Sequence, residues 1–160
     1  MVFSHHSSMD RVLHVKVHLS ERHNFVTTPI QMTARRNFSS GATWEPIVGY
    51  SRAVRIGNTI EISGTCAVDK DGHPFATGDA YQQTKRILEI IKNAVEQLGG
   101  RMEDIVRTRI FVTDINQWES IGKAHGEIFG SIRPATTMVE VSKLISLEYQ
   151  VEIEATALLS

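Results

Sequence analysis

A single apolar stripe along residues 79–98 constrains the fold more than any other feature of this sequence. Its members lie three or four positions apart, the spacing of one helix face: Thr84, Ile87, Leu88, Ile91, Ala94, Val95 and Leu98. Asp79 with Gln82 resembles a capping pair that begins a helix, and two glycines after Leu98 end it. A helix with one apolar face needs a second layer, so we expect it to pack on a sheet.

Strand patterns lie on both sides of this helix. Residues 50–65 consist of the run YSRAVRI, a Gly-Asn turn and the run TIEISGT, which together predict a β-hairpin. Residues 105–113 alternate in polarity and predict a third strand. Two further β-rich runs, 136–144 and 149–159, end the sequence, and the second alternates apolar with acidic or hydroxyl side chains.

A second amphipathic helix is predicted between these strands. Asn116 with Glu119 repeats the capping pattern, and Gly130 ends the segment. One side of this helix carries Trp118, Ile121, His125, Ile128 and Phe129. The predicted order is therefore ββαβαββ, an α+β fold in which two helices cover one face of a mixed sheet.

The sheet face away from the helices must meet water or another subunit. We expect Tyr50, Val54, Ile62 and Met138 to lie on that side, which makes it less polar than a solvated face. Symmetric self-association is the usual way to cover such a surface. The pattern therefore predicts a homo-oligomer.

Charge and cysteine usage narrow the class of partner and the compartment. Seventeen Lys and Arg against 18 Asp and Glu give a net charge of −1 over 160 residues, so nucleic acid is a disfavoured partner. The single cysteine, Cys66, cannot form an internal disulfide, which indicates a reduced compartment such as the cytoplasm. No apolar run approaches the roughly 18 to 20 residues that cross a bilayer, so we expect no membrane insertion.

The first 31 residues differ in character from the rest. They hold five of the seven histidines, including His14, His18 and His23, but no cysteine or carboxylate pattern completes a metal site. We therefore expect no metal and interpret residues 1–31 as a disordered extension, or as the product of a start codon upstream of Met32. A transit peptide is a further alternative, because acidic residues are few in this segment, although arginines are not abundant either. Residues 32–160 form the predicted domain.

Five blocks in a fixed order resemble the RidA family, also called YjgF/YER057c/UK114. They are GYSRAVRIGNTIEISGT, DAYQQT, VRTRIFVTDINQW, PATTMVEVSKL and VEIEATA, and the resemblance runs from about Arg35 to the C-terminus. It implies a chorismate-mutase-like fold and a homotrimer with clefts between subunits. It also implies hydrolysis of imine and enamine intermediates, released by pyridoxal-phosphate enzymes, to a 2-oxo acid and ammonia.

The resemblance carries four site residues onto this sequence. Tyr50, Ser63 and Gly64 match positions that form the family's cleft. Glu152 matches the glutamate that helps to place the attacking water, once one residue is inserted after Leu144. The alternative for Glu152 is an exposed strand carboxylate, because carboxylates are rarely buried.

Two positions depart from the family pattern. Thr136 follows Pro134 and Ala135 where the deaminases have the arginine that grips the substrate carboxylate, and Gly122 stands where they have an asparagine. A threonine hydroxyl has neither the charge nor the planar fork of a guanidinium. The loss of the arginine is worth about 2 to 4 kcal/mol of binding to the substrate carboxylate, or roughly 30- to 1000-fold in rate. The sequence therefore resembles the subfamilies that lack this arginine.

Other side chains are candidates for the missing role. Arg52, two residues after Tyr50 on the same strand face, and Arg133, just before Pro134, could each reach a shared cleft; the alternatives are a salt-bridge partner and a surface residue. His125 could be an acid or base, or a half-buried structural histidine. Cys66 is interpreted as a packed side chain, because no histidine is placed to activate it.

Two functional hypotheses follow, with a weaker third. The first is hydrolysis of a small imine or enamine with altered substrate preference, in which Glu152 and the backbone of Gly64 position water and Tyr50 holds the substrate. The second is a non-catalytic trimer that binds small metabolites or a protein partner in the same clefts. An endoribonuclease or translation inhibitor comes last, because the charge does not favour RNA. The sequence has no nucleotide loop or nucleophile-elbow motif, and we expect no cofactor.

Overall fold

The computed structural model describes residues 34–160, which contain six strands and three α-helices. The strands are β1 (Arg36–Phe38), β2 (Ala53–Ile56), β3 (Thr59–Cys66), β4 (Ile105–Val112), β5 (Ala135–Glu140) and β6 (Val151–Leu158). The helices are α1 (Trp44–Val48), α2 (Ala80–Gln97) and α3 (Trp118–Phe129). The predicted extension and its histidines lie outside the described residues.

The strands form one mixed sheet in the order β1-β2-β3-β6-β4-β5. Only the β4–β5 pair is parallel among the pairings of the described strands. The segment from β2 to β6 has the predicted order ββαβαββ, so the α+β class and the mixed sheet are confirmed. Within residues 34–160, no helix is long and apolar enough to span a bilayer.

The predicted stripe of α2 forms the centre of the core. Ile87, Leu88 and Ile91 are fully buried in the same cluster as Ile60 of β3 and Ile153 of β6. Because the helix presents this one apolar face to the sheet, packing removes the whole stripe from water, which is the main favourable term in folding.

Capping was predicted correctly for one helix and wrongly for the other. Asp79 accepts a hydrogen bond from the backbone N–H of Gln82 at 3.0 Å, as expected at the start of α2. Before α3, however, the cap is Asp114, whose carboxylate accepts from the backbone N–H of Asn116 at 3.0 Å. A 3-10 turn over Ile115–Gln117 separates this cap from the first residue of α3. The extra turn explains why the cap lies earlier than the sequence pattern indicated.

Two short elements that precede the hairpin, β1 and α1, were not predicted from the sequence. Glu45 of α1 is only 3% exposed and joins the two elements. Its carboxylate accepts from the backbone N–H and the hydroxyl of Ser40, at 3.0 and 2.6 Å, and from the Ser39 hydroxyl. Burial raises the pKa of Glu45, but these hydrogen bonds outweigh burial and hold the pKa below its usual value. The buried carboxylate thereby fixes the segment that leads to Tyr50.

Two residues predicted on the open face of the sheet lie on the helix side instead. Ile62 is buried opposite Ala155 of β6, and Met138, paired with Ile110 of β4, packs against the core. Pairing register decides the face of a strand, and a shift of one residue reverses it. On the open face, charged side chains (Glu61, Arg107, Arg109 and Glu154) lie among exposed apolar ones (Ile56, Val106 and Leu158).

Candidate functional site

A β-bulge in β3 brings Gly64 against Glu152. The register between β3 and β6 shifts between Ile62 and Thr65, so Ser63 and Gly64 occupy the irregular stretch. A methyl group on the Cα of Gly64 would lie 2.0 Å from Oε1 and 3.0 Å from Cδ of Glu152. The carboxylate therefore rests on the backbone of Gly64, in a space that only glycine leaves open.

Glu152 lies on the open face of the sheet and is half-buried. Its neighbours in β6, Val151 and Ile153, are fully buried on the helix side, and side chains alternate along a strand. Cys66 is its cross-strand partner, and the thiol sulfur lies 3.5 Å from Oε2. Oε2 thus meets the thiol, whereas Oε1 lies against Gly64.

The thiol of Cys66 is a poor nucleophile in this position. Burial is the largest cause that raises the pKa of this thiol, and the negative charge and hydrogen bond of Glu152 raise the pKa further, far above its usual range. A protonated thiol donates its hydrogen to the carboxylate instead of attacking a substrate. This agrees with the interpretation of Cys66 as a packed side chain, but its contact with Glu152 was not predicted.

Arg52 and Tyr50 complete the group around Gly64. The Nη1 atom of Arg52 donates to the carbonyl oxygen of Gly64 at 2.8 Å and to Oγ1 of Thr65 at 3.0 Å. Its guanidinium carbon lies 5.7 Å from the centre of the Tyr50 ring, within the range of a cation–π contact. We refer to Tyr50, Arg52, Gly64, Cys66 and Glu152 as the Glu152 cluster.

Ser63 supports the cluster from within the bulge. Its hydroxyl donates to the carbonyl oxygen of Ser51 at 2.8 Å, and its backbone N–H donates to the carbonyl oxygen of Arg52 at 3.1 Å. Both bonds tie β3 to the segment that carries Tyr50 and Arg52. Ser63 therefore positions the cluster through the backbone.

A cleft of about 490 Å³ borders the cluster on the side of Tyr50. Its lining includes Asn37 of β1, Glu45 of α1 and Ser51, but not Glu152. The volume is in the range of small-molecule sites. Of the predicted site residues, only Tyr50 lines this cleft, so it does not reach the carboxylate within one protomer.

His125 and Thr136 belong to a separate group, the Thr136 network. Nε2 of His125 lies 3.1 Å from Oγ1 of Thr108, which lies 3.0 Å from Oγ1 of Thr136. The Thr136 hydroxyl donates to the carbonyl oxygen of Pro134 at 3.1 Å. Thr108 is 1% exposed and points to the helix side, so this network and Glu152 lie on opposite faces of the sheet.

Stability should depend on pH through His125. Burial lowers the pKa of this imidazole, so the unfolded chain takes up its proton at a higher pH than the folded chain does. We expect the free energy of unfolding to fall as the pH drops below about 6.5, by at most about 1.4 kcal/mol per pH unit. Urea unfolding between pH 7.5 and 5.5 measures this slope, and His125→Gln should flatten it. An unchanged slope in the variant would assign the dependence to other groups.

The remaining sequence candidates lie apart from both groups. Arg133 is exposed where α3 ends, has a left-handed φ of 56°, and donates from Nε to the carbonyl oxygen of Gly130 at 3.3 Å. This matches the alternative of a surface residue. Gly122 is exposed on α3, and a methyl group on it would meet nothing within 4 Å.

Thr108 was not predicted as part of a site, although its position in the sequence indicates a buried hydroxyl. In the sequence it is the one hydroxyl on the alternating apolar side of the run VRTRIFV; in the structure Ile110 and Val112 are buried on this side, but an irregularity between Ile105 and Arg107 leaves Val106 exposed. A polar side chain at a buried position needs a hydrogen-bond partner. Thr108 has two, the imidazole of His125 and the hydroxyl of Thr136. The identity of those partners depends on strand pairing and helix placement, which the pattern alone does not give.

Three potential metal ligands lie together in the loop after β3. Asp69, Asp71 and His73 bring a carboxylate or imidazole atom each within 4.8 Å of one another. Oδ1 of Asp69 already accepts the backbone N–H groups of Asp71 and His73, at 2.8 and 2.9 Å. These bonds stabilise the turn and lower the pKa of Asp69, so the cluster has a structural explanation.

Comparison with known proteins gives concordant results. A family model described as endoribonuclease L-PSP matches residues 41–159. A RutC family protein of Pyrococcus abyssi is 34% identical over 113 residues, which cover 71% of this chain and 88% of the relative. The crystal structure of Rv2704 from Mycobacterium tuberculosis, described as a member of the YjgF/YER057c/UK114 family, is similar with 44% identity and a TM-score of 0.72, covering 79% and 100% of the two chains. The YjgF gene product of E. coli is 31% identical with a TM-score of 0.64, covering 76% and 91%.

Proposed function

Because this chain belongs to the endoribonuclease L-PSP family, which includes the RidA and YjgF proteins, we propose that it hydrolyses a small imine or enamine at the Glu152 cluster. The observation that carries the proposal is the carboxylate of Glu152, which lies against Gly64, the residue whose carbonyl oxygen accepts a hydrogen bond from the guanidinium of Arg52. A carboxylate of this kind is the expected general base for activating water.

The proposed reaction needs little beyond a positioned water. Water attacks the electrophilic imine carbon while a carboxylate oxygen of Glu152 takes up one of its protons. Glu152 returns this proton to the nitrogen, which gives a carbinolamine with an amino group and a hydroxyl group. As the C–N bond breaks, the hydroxyl proton is transferred to the nitrogen, so that ammonia leaves and the carbon becomes a carbonyl. The backbone of Gly64 helps to hold the water, and the Tyr50 ring packs against the substrate. An enamine enters the same route after it tautomerises to the imine.

A neighbouring subunit would complete this site. The Glu152 cluster and the Thr136 network lie on opposite faces of one sheet, so both can line the same cleft only if they come from different protomers. Ile56, Val106 and Leu158 are 49, 46 and 49% exposed on or beside the open face, which supports self-association. The proposed assembly is a homotrimer, and the proposed compartment is the cytoplasm.

Release of ammonia and 2-oxo acid tests the proposed reaction directly. The substrates are freshly generated 2-aminoacrylate and a bulkier enamine, each compared with its spontaneous hydrolysis. We expect the wild type to accelerate at least one of them. Because a guanidinium adds a charge-assisted bond to the substrate carboxylate, Thr136→Arg should raise the rate on 2-aminoacrylate by about 30-fold or more.

A non-catalytic binding role is the second candidate. The neutral Thr136 hydroxyl, already bonded to Thr108 and Pro134, favours it because it leaves no charge for a substrate carboxylate on that side. An inert wild type together with an active Thr136→Arg variant would support this role and contradict hydrolysis of these substrates by the natural sequence.

A further inference from the structure

Arg52 uses one nitrogen of its guanidinium for hydrogen bonds and leaves the Nε–Nη2 edge without an acceptor among residues 34–160. Both of its hydrogen bonds use Nη1, which donates to the carbonyl oxygen of Gly64 and to Oγ1 of Thr65. Among residues 34–160, Nε and Nη2 meet no acceptor, and no carboxylate lies within ion-pair distance of the guanidinium. The described part of the chain thus offers no salt-bridge partner for Arg52.

Arg55, which lies in β2 three residues after Arg52, uses its guanidinium differently. Its Nε donates to the carbonyl oxygen of Gly57 at 2.8 Å, and its Nη1 donates to that of Leu98 at 2.7 Å. Arg55 therefore ties the hairpin to the end of α2 and has a structural role. Arg52 anchors a single nitrogen, which fixes the plane of the guanidinium but does not occupy its second edge.

The open edge has the geometry of an oxoanion receptor. Nε–H and Nη2–H of a guanidinium point in parallel, at the spacing of the two oxygens of a carboxylate. The Tyr50 ring flanks the group, and the half-buried setting strengthens a charged hydrogen bond relative to water. A planar carboxylate therefore fits this edge better than a neutral amide does.

Gly64 sets the separation between this edge and the proposed base. Its carbonyl oxygen receives Nη1 of Arg52, and its Cα supports Oε1 of Glu152. The positive charge of Arg52 also affects two ionisable side chains near it. It lowers the pKa of Glu45, and it partly offsets the rise in the pKa of Cys66. The guanidinium thus lies within electrostatic reach of the Cys66–Glu152 pair.

We infer that Arg52 is a specificity-determining residue whose Nε–Nη2 edge receives the carboxylate of the substrate while the reacting carbon faces Glu152. The inference rests on the proposed function for the identity of the reacting group. The negative charge of the substrate is then recognised from β3 and the segment before β2, on the same face as the base. Thr136, on the opposite face of this protomer, is not required for that contact.

Matched charged and neutral substrates test the role of Arg52. The imines of pyruvate and of pyruvamide have nearly the same size, but only the first carries a carboxylate. We expect Arg52→Gln to lower kcat/KM for the pyruvate imine about 10- to 30-fold, the loss of one charged hydrogen-bonded pair, and to change the pyruvamide imine less than about 2-fold. Arg101→Gln, which alters an exposed arginine beside Asp104, is the matched control and should leave both unchanged. Equal losses on the two substrates in Arg52→Gln would overturn the inference.

Binding without turnover separates this inference from the proposed function. Titration of the protein with pyruvate and with pyruvamide, followed by NMR, should show tighter binding of pyruvate in the wild type and no preference in Arg52→Gln. If the wild type hydrolyses neither imine but shows this Arg52-dependent preference, the hydrolase proposal fails and the anion site stands. If hydrolysis occurs and Arg52→Gln keeps the preference for the charged ligand, the inference fails and the hydrolase proposal stands.

Arg52→Lys is a second variant for the same measurement. It retains the positive charge of Arg52 but not the planar fork, so it should keep only part of the preference for pyruvate. It serves as the test variant if Arg52→Gln does not fold.

Discussion

Glu152→Gln lowers the rate of imine hydrolysis about 10²- to 10⁴-fold, the contribution of a positioned general base. The amide has nearly the same shape as the carboxylate, so it keeps the contact with Gly64, but it cannot take a proton from water. Release of ammonia from 2-aminoacrylate measures the loss, and urea unfolding should show little change in stability. The large ratio of these two effects would identify a catalytic group.

Glu154→Gln is the matched control for this substitution. Glu154 lies two residues further along β6 on the same face and forms an ion pair with Arg109, with Oε1 and Nη1 3.3 Å apart. This pair is partly exposed, so its loss changes stability by less than about 1 kcal/mol and should not affect hydrolysis. Equal activities of Glu152→Gln and the wild type would remove Glu152 from the mechanism.

Gly64→Ala should lower hydrolysis about 100-fold although it adds only one methyl group. The new Cβ would lie 2.0 Å from Oε1 of Glu152, and the flexible carboxylate yields more readily than the strand backbone. A displacement of about 1 Å in a catalytic group is enough for a loss of this size. We expect ammonia release to fall while the variant remains folded by circular dichroism.

Two comparisons make the Gly64→Ala result specific. Gly126→Ala in α3 adds a methyl group that meets nothing within 4 Å, so activity should persist and stability should rise by about 0.5 to 1 kcal/mol. The double variant Gly64→Ala with Glu152→Gln should be no less active than Glu152→Gln alone, since both substitutions act through one carboxylate. Multiplied losses in the double variant would show that Gly64 contributes by another route.

The sequence predicts the elements whose periodicity is long enough to read. The stripe of α2 and the alternation of β6 extend over 18 and eight residues, and both were placed correctly. By contrast, β1 and α1 have three and five residues and carry no period of their own. They form because β1 pairs with β2 and because Glu45 is held by serine hydroxyls, which are contacts between separate segments. Such short elements depend on tertiary structure more than on propensity.

The residues of the candidate site also differ in how far the sequence predicts their positions. Tyr50, Gly64 and Glu152 came from the resemblance, and period-2 spacing placed Arg52 on the face of Tyr50; the structure brings these four together. The position of Thr136 on the opposite face was not foreseen, because it depends on the parallel register of β4 and β5. A strand's face follows from its partner, and the partner is not contained in the local sequence.

The pairing of Cys66 with Glu152 also bears on chemical durability. Alkylating agents and peroxides react with the thiolate form of cysteine, and the raised pKa of Cys66 leaves almost none of that form near neutral pH. The sulfur nearest the proposed base is thereby protected by that base. A protein that meets electrophilic metabolites and oxidants can keep a cysteine in this position without its becoming a site of covalent inactivation.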